Sequence, residues 1–184
     1  MPVAAVLDAS VLYPLPLRDT LLRVAETGLY DPYWSRRILD EVVRNLVADG
    51  RASEEQARRL GDAMAAAFDG AAVSQATIER FEPAMTNDPK DRHVLAAAVV
   101  SGAQAVVTLN LSDFPPDACE PFAIEPLHPD VFLLDLYELG SDVVVEAIQR
   151  QVAALSRPPM TFVELLDRLA VTVPGFARTL RAHC

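Results

Sequence analysis

The feature that most narrows the fold is a recurring junction, in which a short branched apolar run stops on a small polar or acidic side chain and a helical pattern follows. Val3–Leu7 holds no polar residue and stops at Asp8, and the apolar run 106–109 stops at Asn110. Runs of this kind have little polar face to offer solvent, so they read as strands covered on both sides. Residues 17–27 read as an amphipathic helix closed by Gly28, and residues 29–34 as a short strand. Ser35 then caps a helix that runs to residue 49 and carries Ile38, Leu39, Val42, Val43 and Leu46 on one face, with Gly50 ending it. Ser53 and Gln56 have capping-box spacing for a helix to residue 68, residues 71–73 form a brief strand, and Ile124 lies in a further extended piece. Asp88-Pro89 carries the residue types of an N-cap and first helical position, for a helix to Ser101 closed by Gly102.

Strands alternating with helices predict an α/β fold with a central parallel sheet covered on both faces. From Pro129 the pattern is helical throughout, over residues 129–139, 141–155, 161–171 and 174–183, with Pro158-Pro159 and Pro174 as breaks. The expected organisation is a sheet-bearing domain over residues 1–127 and a C-terminal helical extension over 128–184, packed either as a further layer or as an arm.

Lys plus Arg is 16 and Asp plus Glu is 26, a formal charge of −10. That opposes phosphate binding over the molecule as a whole. Charges more than about 8 Å apart are nevertheless largely screened at physiological salt, and bound dications reverse the local sign of an acidic site. Cys119 and Cys184 are far apart, with no CxxC spacing, which fits a reducing cytosol and a cytoplasmic protein. Met1-Pro2-Val3 shows no basic leader, so no secretory signal is expected, and no apolar run is long enough to span a membrane.

In an open parallel sheet ligands bind beyond the carboxyl ends of the strands. If the first and later apolar strands run parallel, Asp8, Asn110 and Asp113 emerge on one edge. Asp91 shares a helical stripe with Leu95, Ala98 and Gly102, in line with the face expected to pack on the sheet. A charge so placed calls for a partner or a metal. Converging carboxylates repel by roughly 4 kcal/mol per pair at about 4 Å and an effective dielectric near 20. An all-oxygen donor set favours Mg²⁺ or Mn²⁺ as the relieving ion.

The order LDASVL (7–12), SRRILDEVVRNL (35–46), NDPKDRHVLAAAV (87–99) and TLNLSDF (108–114) resembles the PIN-domain nucleases, in particular the VapC-type toxins of bacterial toxin–antitoxin pairs, over about residues 3–126. The resemblance implies an α/β/α sandwich, cleavage of single-stranded RNA with Mg²⁺ or Mn²⁺, a homodimer, and silencing by a cognate antitoxin, for which the C-terminal helices are a candidate docking surface. It assigns the metal-holding catalytic acids to Asp8, Glu41, Asp91 and Asp113, with Ser10 and Asn110 as accompanying polar positions. Many relatives carry Asp where Asn110 stands, which departs from the family pattern.

Other readings stand beside these. The helical wheel does not choose between Asp40 and Glu41. Asp88 reads as a helix cap rather than a ligand, Arg92 as a solvated helix residue, and Asn110 as either a ligand neighbour or a turn former. Ser10 and Thr108 could orient a carboxylate or simply end strands. None of His93, His128 and His183 has metal-ligand spacing. Trp34, Phe81 and Tyr13 read as packing, or for one of them as a base-stacking surface. The alternative function is a catalytically weak PIN-like module that binds RNA or protein. An Asp-nucleophile phosphatase is disfavoured, because Ser10 stands where such enzymes place a second Asp.

Overall fold

The computed structural model describes residues 3–155 and 158–183. The readings made on Met1, Pro2 and the Cys184 thiol lie outside the described residues.

The chain runs β1 (Val3–Leu7), α1 (Ala9–Leu12), α2 (Leu15–Glu26), β2 (Tyr30–Ser35), α3 (Arg36–Ala48), α4 (Glu54–Ala67), β3 (Ala72–Val73) and α5 (Gln75–Phe81). It continues through α6 (Arg92–Ser101), β4 (Ala105–Val107), α7 (Pro116–Cys119), β5 (Glu125–Leu127), α8 (Pro129–Leu139), α9 (Ser141–Ala154), α10 (Phe162–Leu169) and α11 (Pro174–His183). The sheet order is β3-β2-β1-β4-β5 and every pairing is parallel. Ala5, Val6 and Leu7 of the central strand are fully buried, as a strand with helices on both faces must be. Pro32 is tolerated inside β2 because at its level β2 pairs only with β1, β3 beginning opposite Trp34.

Local signals set most of the helix ends. Ser35 accepts a hydrogen bond from the Ile38 backbone N–H at 3.1 Å, and Ser53 and Gln56 form the reciprocal capping box. Gly50 and Gly102 take left-handed φ values of 66° and 70° just past α3 and α6. One expected start is displaced. The sequence places a helix start at Asp88, but α6 begins at Arg92 with Asp91 in the N-cap position. The Asp88 carboxylate instead accepts from the Lys90 N–H at 2.9 Å, and the Asp91 N–H donates to the Asp88 carbonyl. Residues 88–91 therefore close on themselves as a turn, the competing local bond that Asp side chains offer. α1 and α5 carry no helical signature in the sequence, since four and seven residues are too few to show a helical period.

The C-terminal helices form a layer rather than an arm. α9 lies along α2, where the Thr20 hydroxyl donates to Gln151 at 2.8 Å and the Gln151 amide donates to the Pro16 carbonyl at 3.1 Å, both side chains being buried. Phe132 of α8 meets Tyr30 of β2 edge-on, with ring centroids 4.9 Å apart. Asp130 of α8 accepts from the Gly175 and Phe176 N–H groups at 2.9 and 2.7 Å, so α8 caps the start of α11.

Because this layer shares the core, Phe132→Ala should lower the unfolding free energy by about 3–5 kcal/mol while urea melts stay single-step. Two separate transitions followed by tryptophan fluorescence and circular dichroism would contradict the shared core.

Candidate active site

After β1 the chain builds β2 and β3 to one side, then crosses to the other side for β4 and β5. The crevice of a doubly wound sheet opens at that reversal, beyond the carboxyl ends of β1 and β4. Leu7 lies opposite Val107, so Asp8 and Thr108 leave their strands side by side, and the Asp8 N–H donates to the Val107 carbonyl at 3.1 Å.

Asp8 is only 4% exposed, and its Oδ2 accepts from the Ser10 hydroxyl at 2.6 Å and from the Thr108 hydroxyl at 2.8 Å. Those hydroxyl oxygens in turn accept from the Leu109 and Asn110 N–H groups, each at 3.0 Å. Backbone of the β4 exit thus orients two hydroxyls, which orient one carboxylate oxygen. Oδ1 carries no protein hydrogen bond among the described residues.

α3 and α6 supply two further acids. Glu41 and Asp91 line the same cleft, of about 380 Å³, as Asp8, Ser10 and Asn110. Asp40 does not: it is exposed and pairs with Arg36 at 2.8 Å. Asp91 stands at the N-cap of α6 without making a side-chain cap bond, which leaves its carboxyl free for the cleft. Asp113 is not part of the cleft wall. It ends the short 3₁₀ turn Leu111–Asp113, where its carbonyl accepts from the Asp88 N–H at 3.2 Å and its carboxylate accepts from the Ser112 hydroxyl at 3.3 Å.

The four acids nevertheless feel one another. Burial pushes the half-buried Asp91 carboxyl up to about 7, with Asp8, Asp113, Glu41 and Asp88 adding to the rise. Glu41 is also raised, by burial and then by Asp8, while Arg44 and Arg37 offset part of the effect. Among the described residues no three carboxylate, imidazole or thiolate groups converge closely enough to hold one ion. The donor chemistry, all oxygen and mutually repelling, fits a hard dication.

Tyr13, Asn45 and Asp49 also line the cleft and were missed as site residues. The Tyr13 hydroxyl donates to Asp49 at 2.5 Å. A signal was available for two of them. Glu41, Asn45 and Asp49 recur every fourth residue, a polar stripe along α3 to its C-cap, beside the apolar one. His93 is buried and pushed down to about 4 by burial and then by Arg37, as befits a neutral core imidazole.

A doubly wound parallel sheet that gathers carboxylates at its reversal point, one of them tied down by paired hydroxyls, defines an acid-centred α/β domain. The chain belongs to the PIN-domain family, whose model matches residues 4–112, and residues 129–182 match the family described as the VapC50 C-terminal domain. Among curated proteins it is similar to one of Mycobacterium tuberculosis named "Putative ribonuclease VapC50", at 49% identity over 98 residues, which are 53% of this chain and 58% of that relative. The matched region thus spans well under two thirds of the relative's length. No solved structure matches the chain. No helix among the described residues is long and apolar enough to cross a membrane.

A carboxyl whose folded value of about 7 lies above its ordinary 3.8 costs stability once it ionises. That cost is absent below pH 3.8, grows as pH rises, and is complete above pH 7. Without divalent ions, Asp91→Asn should therefore stabilise the protein at about pH 8 by about 1–2 kcal/mol, a figure discounted for partial exposure. The gain should vanish near pH 4. Urea denaturation in a chelator at both pH values checks this.

Proposed function

We propose that this protein is a metal-dependent endoribonuclease that cleaves single-stranded RNA, acting as the toxin of a toxin–antitoxin pair. Residues 1–127 form the nuclease domain in this reading, and residues 128–184 a helical extension. The observation that carries it is the gathering of Asp8, Glu41 and Asp91 in one cleft, where burial and the neighbouring acids push the Asp91 carboxyl up to about 7. A cluster of acids that destabilises the free protein has a use if a cation completes it. Membership of the PIN-domain family and the ribonuclease name of the mycobacterial relative support the same reading.

Asp8, Glu41 and Asp91 would hold Mg²⁺ or Mn²⁺, with Asp113 acting from the cleft's margin. Such an ion supplies Lewis acidity toward a phosphodiester and makes an acidic cleft attractive to RNA. Ser10 and Thr108 keep Asp8 Oδ2 oriented, so that Oδ1 is the oxygen offered. Asn110, where many relatives have Asp, adds an uncharged donor and acceptor at the rim and weakens the hold on a second ion. The partners in this reading are RNA, a cognate antitoxin and a second copy of the chain, in the cytoplasm.

Asp8→Asn and Asp91→Asn should each abolish Mn²⁺-dependent cleavage of a single-stranded RNA while circular dichroism stays that of the parent. Ser10→Ala should retain the fold and lose about 10–100-fold in rate, as loss of a ligand's orienting partner does. Cleavage by both Asn variants at the parent rate would overturn the assignment. Absence of any cleavage by the parent, with RNA binding that survives EDTA, would favour a binding module.

A further inference from the structure

A second cavity, of about 410 Å³, adjoins the acidic cleft, with Tyr13 as the residue common to both linings. Its character is opposite. Arg18 and Arg51 line it together with Leu15, Leu46 and Leu60, and no carboxylate does. Arg18 is 7% exposed, and its Nη1 donates to the Leu12 carbonyl at 2.8 Å and to the Tyr13 carbonyl at 3.4 Å. It makes no ion pair among the described residues, and its neighbour Asp19 is hydrogen-bonded to Arg23 instead. A buried guanidinium satisfied only by neutral carbonyls is a charge that an incoming anion would relieve.

Arg51 is exposed and also in no ion pair among the described residues, yet it is not loose. Its guanidinium carbon lies 5.1 Å from the centre of the Tyr13 ring. A guanidinium held over an aromatic ring keeps N–H groups for a phosphate and, where exposed, a planar face for a base. Tyr13 holds both neighbours together: its hydroxyl binds Asp49 on the acidic side, and its ring carries Arg51 on the other.

We propose that this cavity is a nucleotide subsite for the RNA strand flanking the bond to be cut, with Arg18 and Arg51 taking a backbone phosphate and the Arg51 plane and leucine walls taking the base. The inference rests on the ribonuclease reading and deepens it. Its volume lies in the range of small-molecule sites. It also answers the charge of −10: the strand meets a local cationic pocket beside the acids rather than a uniformly basic surface.

The test uses the full chain carrying Asp8→Asn, so that substrate survives, and a fluorescein-labelled single-stranded RNA of about ten nucleotides, within the usual site size. Anisotropy is read across a salt series in Mn²⁺. Arg51→Ala in that background should weaken binding about tenfold and lower the salt slope by about 0.7, the loss of one phosphate contact. Arg51→Lys should recover the slope and only part of the affinity, because it restores the charge and not the plane. Arg51→Glu should weaken binding further than Arg51→Ala. RNA affinity and salt slope unchanged by Arg51→Ala and Arg51→Glu would overturn the subsite, leaving the cavity for an acidic protein segment, while the nuclease reading stands on the parent's cleavage. No RNA binding by the Asp8→Asn chain, with no cleavage by the parent, would remove both.

Discussion

Everything at the site depends on the parallel register of β1 against β4. With Leu7 opposite Val107, Asp8 and Thr108 emerge together, and two hydroxyls can reach one carboxylate oxygen. A slip of a single residue would turn alternate side chains to the other face and break that set. The strand hydrogen bonds and the close packing of the fully buried Ala5, Val6 and Leu7 against their neighbours hold that register.

Around that fixed point the molecule places a group of like charges at the cost of its own stability. Burial and four neighbouring carboxylates hold Asp91 far above the ordinary range for an aspartate, and Glu41 is raised by burial and by Asp8. Stability drawn from elsewhere sustains this. The C-terminal layer adds Phe132, Leu133, Leu136, Val144 and Ile148 to the core, and buried Gln151 ties α9 to α2. α2 is also the helix that carries Arg18 beside the acidic cleft. The segment matching the VapC50 C-terminal domain thus braces the flank of the site without entering it.

The juxtaposition of an acidic cleft and a cationic, apolar cavity across one tyrosine gives the surface a polarity that net charge conceals. A chain of charge −10 can still set two guanidiniums that make no ion pair among the described residues next to its carboxylates. Total charge governs long-range steering, whereas contact chemistry is decided within the screening distance of about 8 Å.

The sequence by itself determined the elements whose signals are local. Runs such as Val3–Leu7, the Ser35 and Ser53 caps, the glycine stops and the helical tail past Pro129 depend on a few adjacent residues and elementary backbone chemistry. It also placed Asp8 at the end of β1 and Asp91 in line with a buried helix face, whereas β4 stops at Val107, three residues before Asn110. Only the tertiary structure decided which acids share a cleft. It put Glu41 there and turned Asp40 outward, set Asp113 at the margin, and moved the start of α6 from Asp88 to Asp91 through a turn that competes with the helix. It also brought Tyr13 to the wall and left Arg18 buried and in no ion pair among the described residues. These outcomes depend on contacts between residues up to a hundred positions apart, such as Thr108 with Asp8. No pattern along the chain encodes such a contact, because its energy exists only once the strands have paired.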